Sequence, residues 1–158
     1  MDSYFTLKLI HVLSATILTG TGIGIAFFMF MANLSSNVQA IAVTARHVVL
    51  ADWLFTAPAV VIQFISGIML MEILGFTYTS IWFQVVIGLF LLIGACWLPV
   101  IYIQYKIREL AFQALETNEI DPKFKRLMMI WTSLGIPAFI SIIIIYWIMI
   151  FKPLPISS

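Results

Sequence analysis

The chain has 158 residues, 63% of them hydrophobic and 9% charged, a formal net charge of +1 and a mean hydropathy of +1.10. Soluble domains carry about 25% charged residues, so this is an integral membrane protein with little mass outside the bilayer. No long basic run is present, which excludes nucleic acid as a partner class, and the single cysteine, Cys96, makes neither an internal disulfide nor a Cys/His zinc site.

A membrane-spanning helix needs about 20 mostly apolar residues. The first such segment is expected over residues 5–32. Nothing before it reads as a signal peptide: Asp2 replaces a basic start, and the apolar run is too long. His11 lies about two turns inside this span. An ionisable side chain at membrane depth is a functional candidate, and neutral imidazole is the commonest metal ligand. At about 100° per residue, His11, Ser14, Ala15, Leu18, Gly22 and Ile25 share one side. Gly20 and Gly24 form a small-xxx-small pattern that permits close helix approach.

Residues 33–37, Asn-Leu-Ser-Ser-Asn, read as a turn ending in a helix N-cap. Residues 38–46 are expected to extend the second span, 48–74, as helix. His47 at its start reads as an interfacial residue, too far from His11 for one haem to bridge both. Asp52, Thr56, Ala59, Gln63, Ser66 and Gly67 form an inward stripe. Asp52 reads as an ion-pair partner of Arg46 or Arg126, or else as a proton-relay carboxylate, and it is the one weak catalytic candidate. Pro58, Pro99 and Pro137 imply kinks inside three spans.

A short uncharged connection, 75–80, leads to the third span, 80–105, where Gln84, Gly88, Leu91, Ala95 and Tyr102 align. Residues 106–126 hold most of the charge, with a turn at 117–122 between two amphipathic arms. The fourth span is expected over 127–151, with Arg126 at its head positioned for an anionic head group. Basic residues Arg46, Lys106, Arg108, Lys123, Lys125 and Arg126 fall on one side, and Lys8 and Lys152 on the other. By the positive-inside rule both termini lie outside the cytoplasm. The expected fold is an all-α polytopic membrane protein: a single domain, 1–158, forming an antiparallel four-helix transmembrane bundle.

In that bundle His11 is level with Gly67 to Met69, with Gln84 to Gly88 and with Trp147. Gln63, Ser66 and Gln84 are expected to join it in a polar cluster, and Lys8 to pair with Glu72. The stripes read first as helix packing, and second as gaps that admit a flat cofactor. Met29, Met31, Met69, Met71, Met128, Met129 and Met149 invite a copper reading, but no tight Met-x-x-Met cluster accompanies His11, so they read as packing or lipid-facing residues.

Three stretches carry a resemblance: Tyr4 with Leu7-Lys8-x-x-His11-Val12, the run 46–60 from Arg46 through Asp52 and Pro58, and 94–99, Gly-Ala-Cys-Trp-Leu-Pro. They resemble the DUF2269 family of integral membrane proteins over nearly the whole chain. More distantly, Lys8-x-x-His11, Thr56-Ala-Pro58, and the course from Arg126 through Pro137 to Lys152-Pro153 are similar to HemJ-type protoporphyrinogen oxidases and CopD-like membrane proteins. Where HemJ-type proteins carry a histidine in the third span, this chain has Gly94-Ala-Cys-Trp.

The HemJ-type resemblance implies a four-helix protein binding haem b, with His11 as metal ligand; the inward stripes and the depth of His11 place Ser14, Gly22, Gln63, Ser66 and Gln84 around such a cofactor. It also implies a redox role, with a quinone or other electron-transfer partner. The alternative is a non-enzymatic accessory or copper-handling protein of CopD-like type. Lipid is the surrounding partner, self-association is open, and the expected location is the bacterial inner membrane.

Overall fold

The computed structural model describes residues 3–154. Asp2 and the last residues of the polar tail, 155–158, lie outside these. Every regular element among the described residues is helical: α1 (Ser3–Ser35), α2 (Val38–Ala51), a five-residue π turn (Asp52–Thr56), α3 (Ala57–Leu74), α4 (Ile81–Thr117) and α5 (Pro122–Phe151). Four helical rods, with α2, the π turn and α3 forming one continuous rod, are each long and apolar enough to cross a membrane. The chain is therefore a multi-pass membrane protein, because in lipid the backbone must satisfy its own hydrogen bonds.

The local chemistry sets the ends. Asn37 caps α2 by accepting from Ala40 N at 3.0 Å, so residues 38–46 are helical as expected. Ser80 caps α4, accepting from Phe83 N. Asp121 caps α5, accepting from Lys123 N at 2.7 Å, with Pro122 at the first helical position. α3 stops at Gly75, whose φ of +67° suits a residue without Cβ. Both arms of segment 106–126 are continuous with their spans, so α4 runs about three turns beyond the expected limit.

Pro58 produces a π turn rather than a simple kink. It has no N–H for the Leu54 carbonyl, and Ala57 N–H reaches back five residues to the Asp52 carbonyl. Pro99 and Pro137 sit inside unbroken helices.

Two antiparallel pairs make the bundle, α1 with α3 and α4 with α5, while α2 bridges α1 and α4. At the end holding the basic residues the pairs close on a core that includes Met29, Ile41, Ala45, Ile107, Phe124 and Met128. Near the termini a smaller cluster forms around Met71, Trp82 and Ile148. Between these closures the pairs part, and α1 meets α5 only sparsely, with Thr19 Oγ1 3.0 Å from the Tyr146 hydroxyl. A cavity of about 1100 Å³ separates them.

Two expectations about helix faces are corrected. A Cβ at Gly20, Gly22 or Gly24 would meet nothing within 4 Å, so this run mediates no close helix contact. On α4, the stripe Gln84, Gly88, Leu91, Ala95 and Tyr102 is the exposed face, with Leu91 at 63% and Tyr102 at 64%. The opposite face, including Trp82, Phe90, Trp97 and Val100, points inward. Polar and small residues suggested a packing seam, but the inner wall of α4 borders a cavity and is mostly apolar, with Trp82, Phe83, Phe90 and Trp97 among its side chains.

Replacing Asn37 with Ala is expected to cost about 1 kcal/mol of stability through loss of the N-cap. Asn37→Asp should retain most of it. The unfolding midpoint in detergent micelles checks this; equal midpoints for Asn37→Ala and the wild type would contradict it.

Candidate functional site

Four side chains from α1 and α3 meet at one wall of the cavity. Ser14 lies one turn beyond His11, and Gln63 and Ser66 share a face of α3, so the α-helical period alone aligns each pair. Gln63 Nε2 is 2.9 Å from His11 Nε2. An amide nitrogen can only donate, so His11 Nε2 accepts and the ring proton sits on Nδ1. Nδ1–H then donates to Ser66 Oγ at 2.8 Å. Ser66 passes its own proton to the Ile62 carbonyl at 2.6 Å. Ser14 Oγ lies 2.5 Å from Gln63 Oε1 and 2.9 Å from the His11 carbonyl, and its one proton serves one of them at a time.

The imidazole is thus hydrogen-bonded at both nitrogens. Gly67 makes room for it: a Cβ there would come within 3.3 Å of His11 Cε1. Sequence reasoning found the inward stripe containing Gly67 but not this close approach.

The structure brings together His11, Ser14, Gln63 and Ser66 from the expected set. Gly22 lies on the cavity lining but away from this network. Gln84 does not join it. Its side chain is exposed, and its amide reaches the Thr79 carbonyl at 3.4 Å. Gln84 stands only one turn inside α4, so a loop carbonyl is nearer than the bundle interior. Trp147, expected at the level of His11, is exposed.

Lys8 and Glu72 do not pair. Lys8 Nζ sits 5.6 Å from the Tyr4 ring centroid, and Glu72 accepts from the Tyr78 hydroxyl at 3.2 Å. The single ion pair among the described residues is Lys106 with Glu109.

Asp52 marks a second polar station toward the basic end. It is 5% exposed and has no arginine partner, since Arg46 and Arg126 are both exposed. Trp97 Nε1 instead donates to both of its oxygens, 3.2 Å from each. Thr56 and Gln104 are its other polar neighbours. Trp97 and Gln104 escaped the sequence reading; the available signal was an indole in mid-span, away from the interfaces where Trp is usually enriched. His47 is exposed on α2, as an interfacial residue is.

The comparisons with known proteins give one match. The family described as predicted integral membrane protein (DUF2269) covers residues 5–153, and the chain belongs to it. No curated protein and no solved structure matches the chain.

Nitrogen-15 spectra of His11 in bilayers are expected to show a protonated Nδ1 and an unprotonated Nε2. Gly67→Ala should displace the ring and blur this into a tautomer mixture. A protonated Nε2 in the wild type would refute the assigned network.

Proposed function

We propose that this DUF2269 protein holds haem b between its two helix pairs in the bacterial inner membrane, with His11 Nε2 as its iron ligand. One observation carries the reading: His11 Nδ1 lies 2.8 Å from Ser66 Oγ, and with Nδ1–H donating there the basic nitrogen is Nε2. Metal-bound histidines characteristically engage their other nitrogen in this way. Gln63, which caps Nε2 and lines the cavity, must turn aside for coordination.

The donor set also favours a macrocycle over a bare ion. Zinc and copper sites usually take three or four protein ligands. Among the described residues no three His, Cys, Asp or Glu side chains gather for that purpose. A porphyrin brings four nitrogens and needs only axial groups from the protein, so a lone imidazole suffices. The cavity, about 1100 Å³ and mostly apolar, is of the size that encloses a cofactor. The likeness of Lys8-x-x-His11 to HemJ-type proteins points the same way. The haem would supply one-electron chemistry, and a quinone is the electron partner suited to a membrane site.

The copper-handling alternative rests on thioethers, since Met71 and Met149 line the same cavity. It predicts retained copper without haem absorption bands.

Protein from haem-supplied cells is expected to show a Soret band that shifts on reduction. His11→Ala should abolish the band in a protein that still elutes as a folded species. Gln63→Leu should keep it, because that change removes a competitor for Nε2 rather than a ligand. A flat visible spectrum rules the proposal out, and copper by elemental analysis in its place selects the alternative.

A further inference from the structure

Three buried side-chain polar atoms among the described residues make no well-formed hydrogen bond: Thr56 Oγ1, which neighbours the Asp52 carboxyl, Trp82 Nε1 and Trp131 Nε1. All three residues line the same cavity. Trp82 belongs to the cluster near the termini. Thr56 and Trp131, each only 8% exposed, stand toward the basic end with Asp52, Trp97 and Gln104. Buried polar groups are nearly always paired, so two unpaired ones facing the cavity, Thr56 from the α2–α3 rod and Trp131 from α5, point to a ligand.

The backbone is unusual at the same place. Asp52 and Thr56 are the first and last residues of the π turn, and such turns are frequent at functional sites. Both side chains are buried on the cavity side.

The polar groups select the ligand's charge. Trp131 Nε1 can only donate, and Trp97 Nε1 already covers both Asp52 oxygens. These N–H groups disfavour a bare cation. An anionic head group would meet the Asp52 carboxylate. A neutral carbonyl oxygen meets neither obstacle and accepts from Thr56 and Trp131. Ile25, Phe90 and Val100 on the same cavity lining suit an apolar ring and tail.

We propose that this end of the cavity binds the carbonyl head of a lipid-soluble quinone, with Thr56 Oγ1 and Trp131 Nε1 as its hydrogen-bond donors. The inference gives the quinone partner named above a location, but it does not require haem at His11.

A short-chain 1,4-benzoquinone titrated calorimetrically into the full chain in lipid nanodiscs is expected to bind saturably at one site. Thr56→Val and Trp131→Phe should each weaken binding roughly five- to tenfold, the scale of one lost hydrogen bond. Tyr102→Phe, on the lipid-facing side of α4, should not. In Asp52→Asn a medium-chain fatty acid should gain affinity as the acid opposing its carboxylate disappears. Unsaturable partitioning, wild-type affinity in both Thr56→Val and Trp131→Phe, or tighter binding of the fatty acid than of the quinone to the wild type would each overturn the assignment. The Soret band recorded on the same sample makes failure at His11 and failure at Thr56 separately visible.

Discussion

An imidazole placed in hydrocarbon must find both of its hydrogen-bond partners inside the protein. That requirement organises the α1–α3 pair. His11 is held at both nitrogens by Gln63 and Ser66, and Ser14 braces Gln63 from the other side. Four side chains thereby tie one helix to another across a stretch where Gly67 lets the ring lie against α3. Lipid supplies no hydrophobic force between helices, so polar clasps of this kind carry much of the specificity of their pairing.

The rest of the architecture follows from where such attachments are dense and where they are sparse. At the basic end, small residues on α2 and α4, such as Ala42, Ala45, Ala111 and Ala114, are buried and bring the backbones together. Farther along, the facing residues become Phe64, Phe90, Trp97 and Tyr146, and the α1–α3 and α4–α5 pairs stand apart around a shared lining. The bundle is closed at one end by dense packing, at the other by a few large side chains, and is wide between them.

The spans were legible because lipid-length apolar runs leave the backbone few alternatives, and Asn37 announced the extension of α2. The His11 site was legible in large part because α-helical periodicity aligned Ser14 with His11 and Ser66 with Gln63. Antiparallel depth then brought the two faces to one level. The rule that polar residues turn inward failed at Gln84, where a loop carbonyl lies within reach. It failed for the α4 stripe because the inner face meets Asp52 through Trp97, whose indole counts as hydrophobic on composition, and through Gln104, which lies off the stripe. Asp52 invited an arginine partner by charge alone, but the basic side chains remain exposed while the indole of Trp97 is already inside. Pro58 signalled a disturbed helix, and nothing in the spacing distinguished a kink from a π turn.

The two polar stations on the second span differ in how completely they are satisfied. At His11 every polar atom of the cluster has a partner. At Asp52 the carboxylate is covered by Trp97, yet Thr56 Oγ1 and Trp131 Nε1 remain unpaired. Each such group costs about 1–3 kcal/mol when buried without a partner. Thr56 and Gln63 are seven residues apart, about 10 Å along the helix, so the stations adjoin without overlapping. At His11 the contact of Nδ1 with Ser66 orients the ring, so that a ligand to Nε2 displaces Gln63 alone. An open set of donors is what exchanging a neutral molecule requires, because the hydrogen bonds gained on binding then favour the bound state. The contrast between them is the physical ground for assigning them different partners.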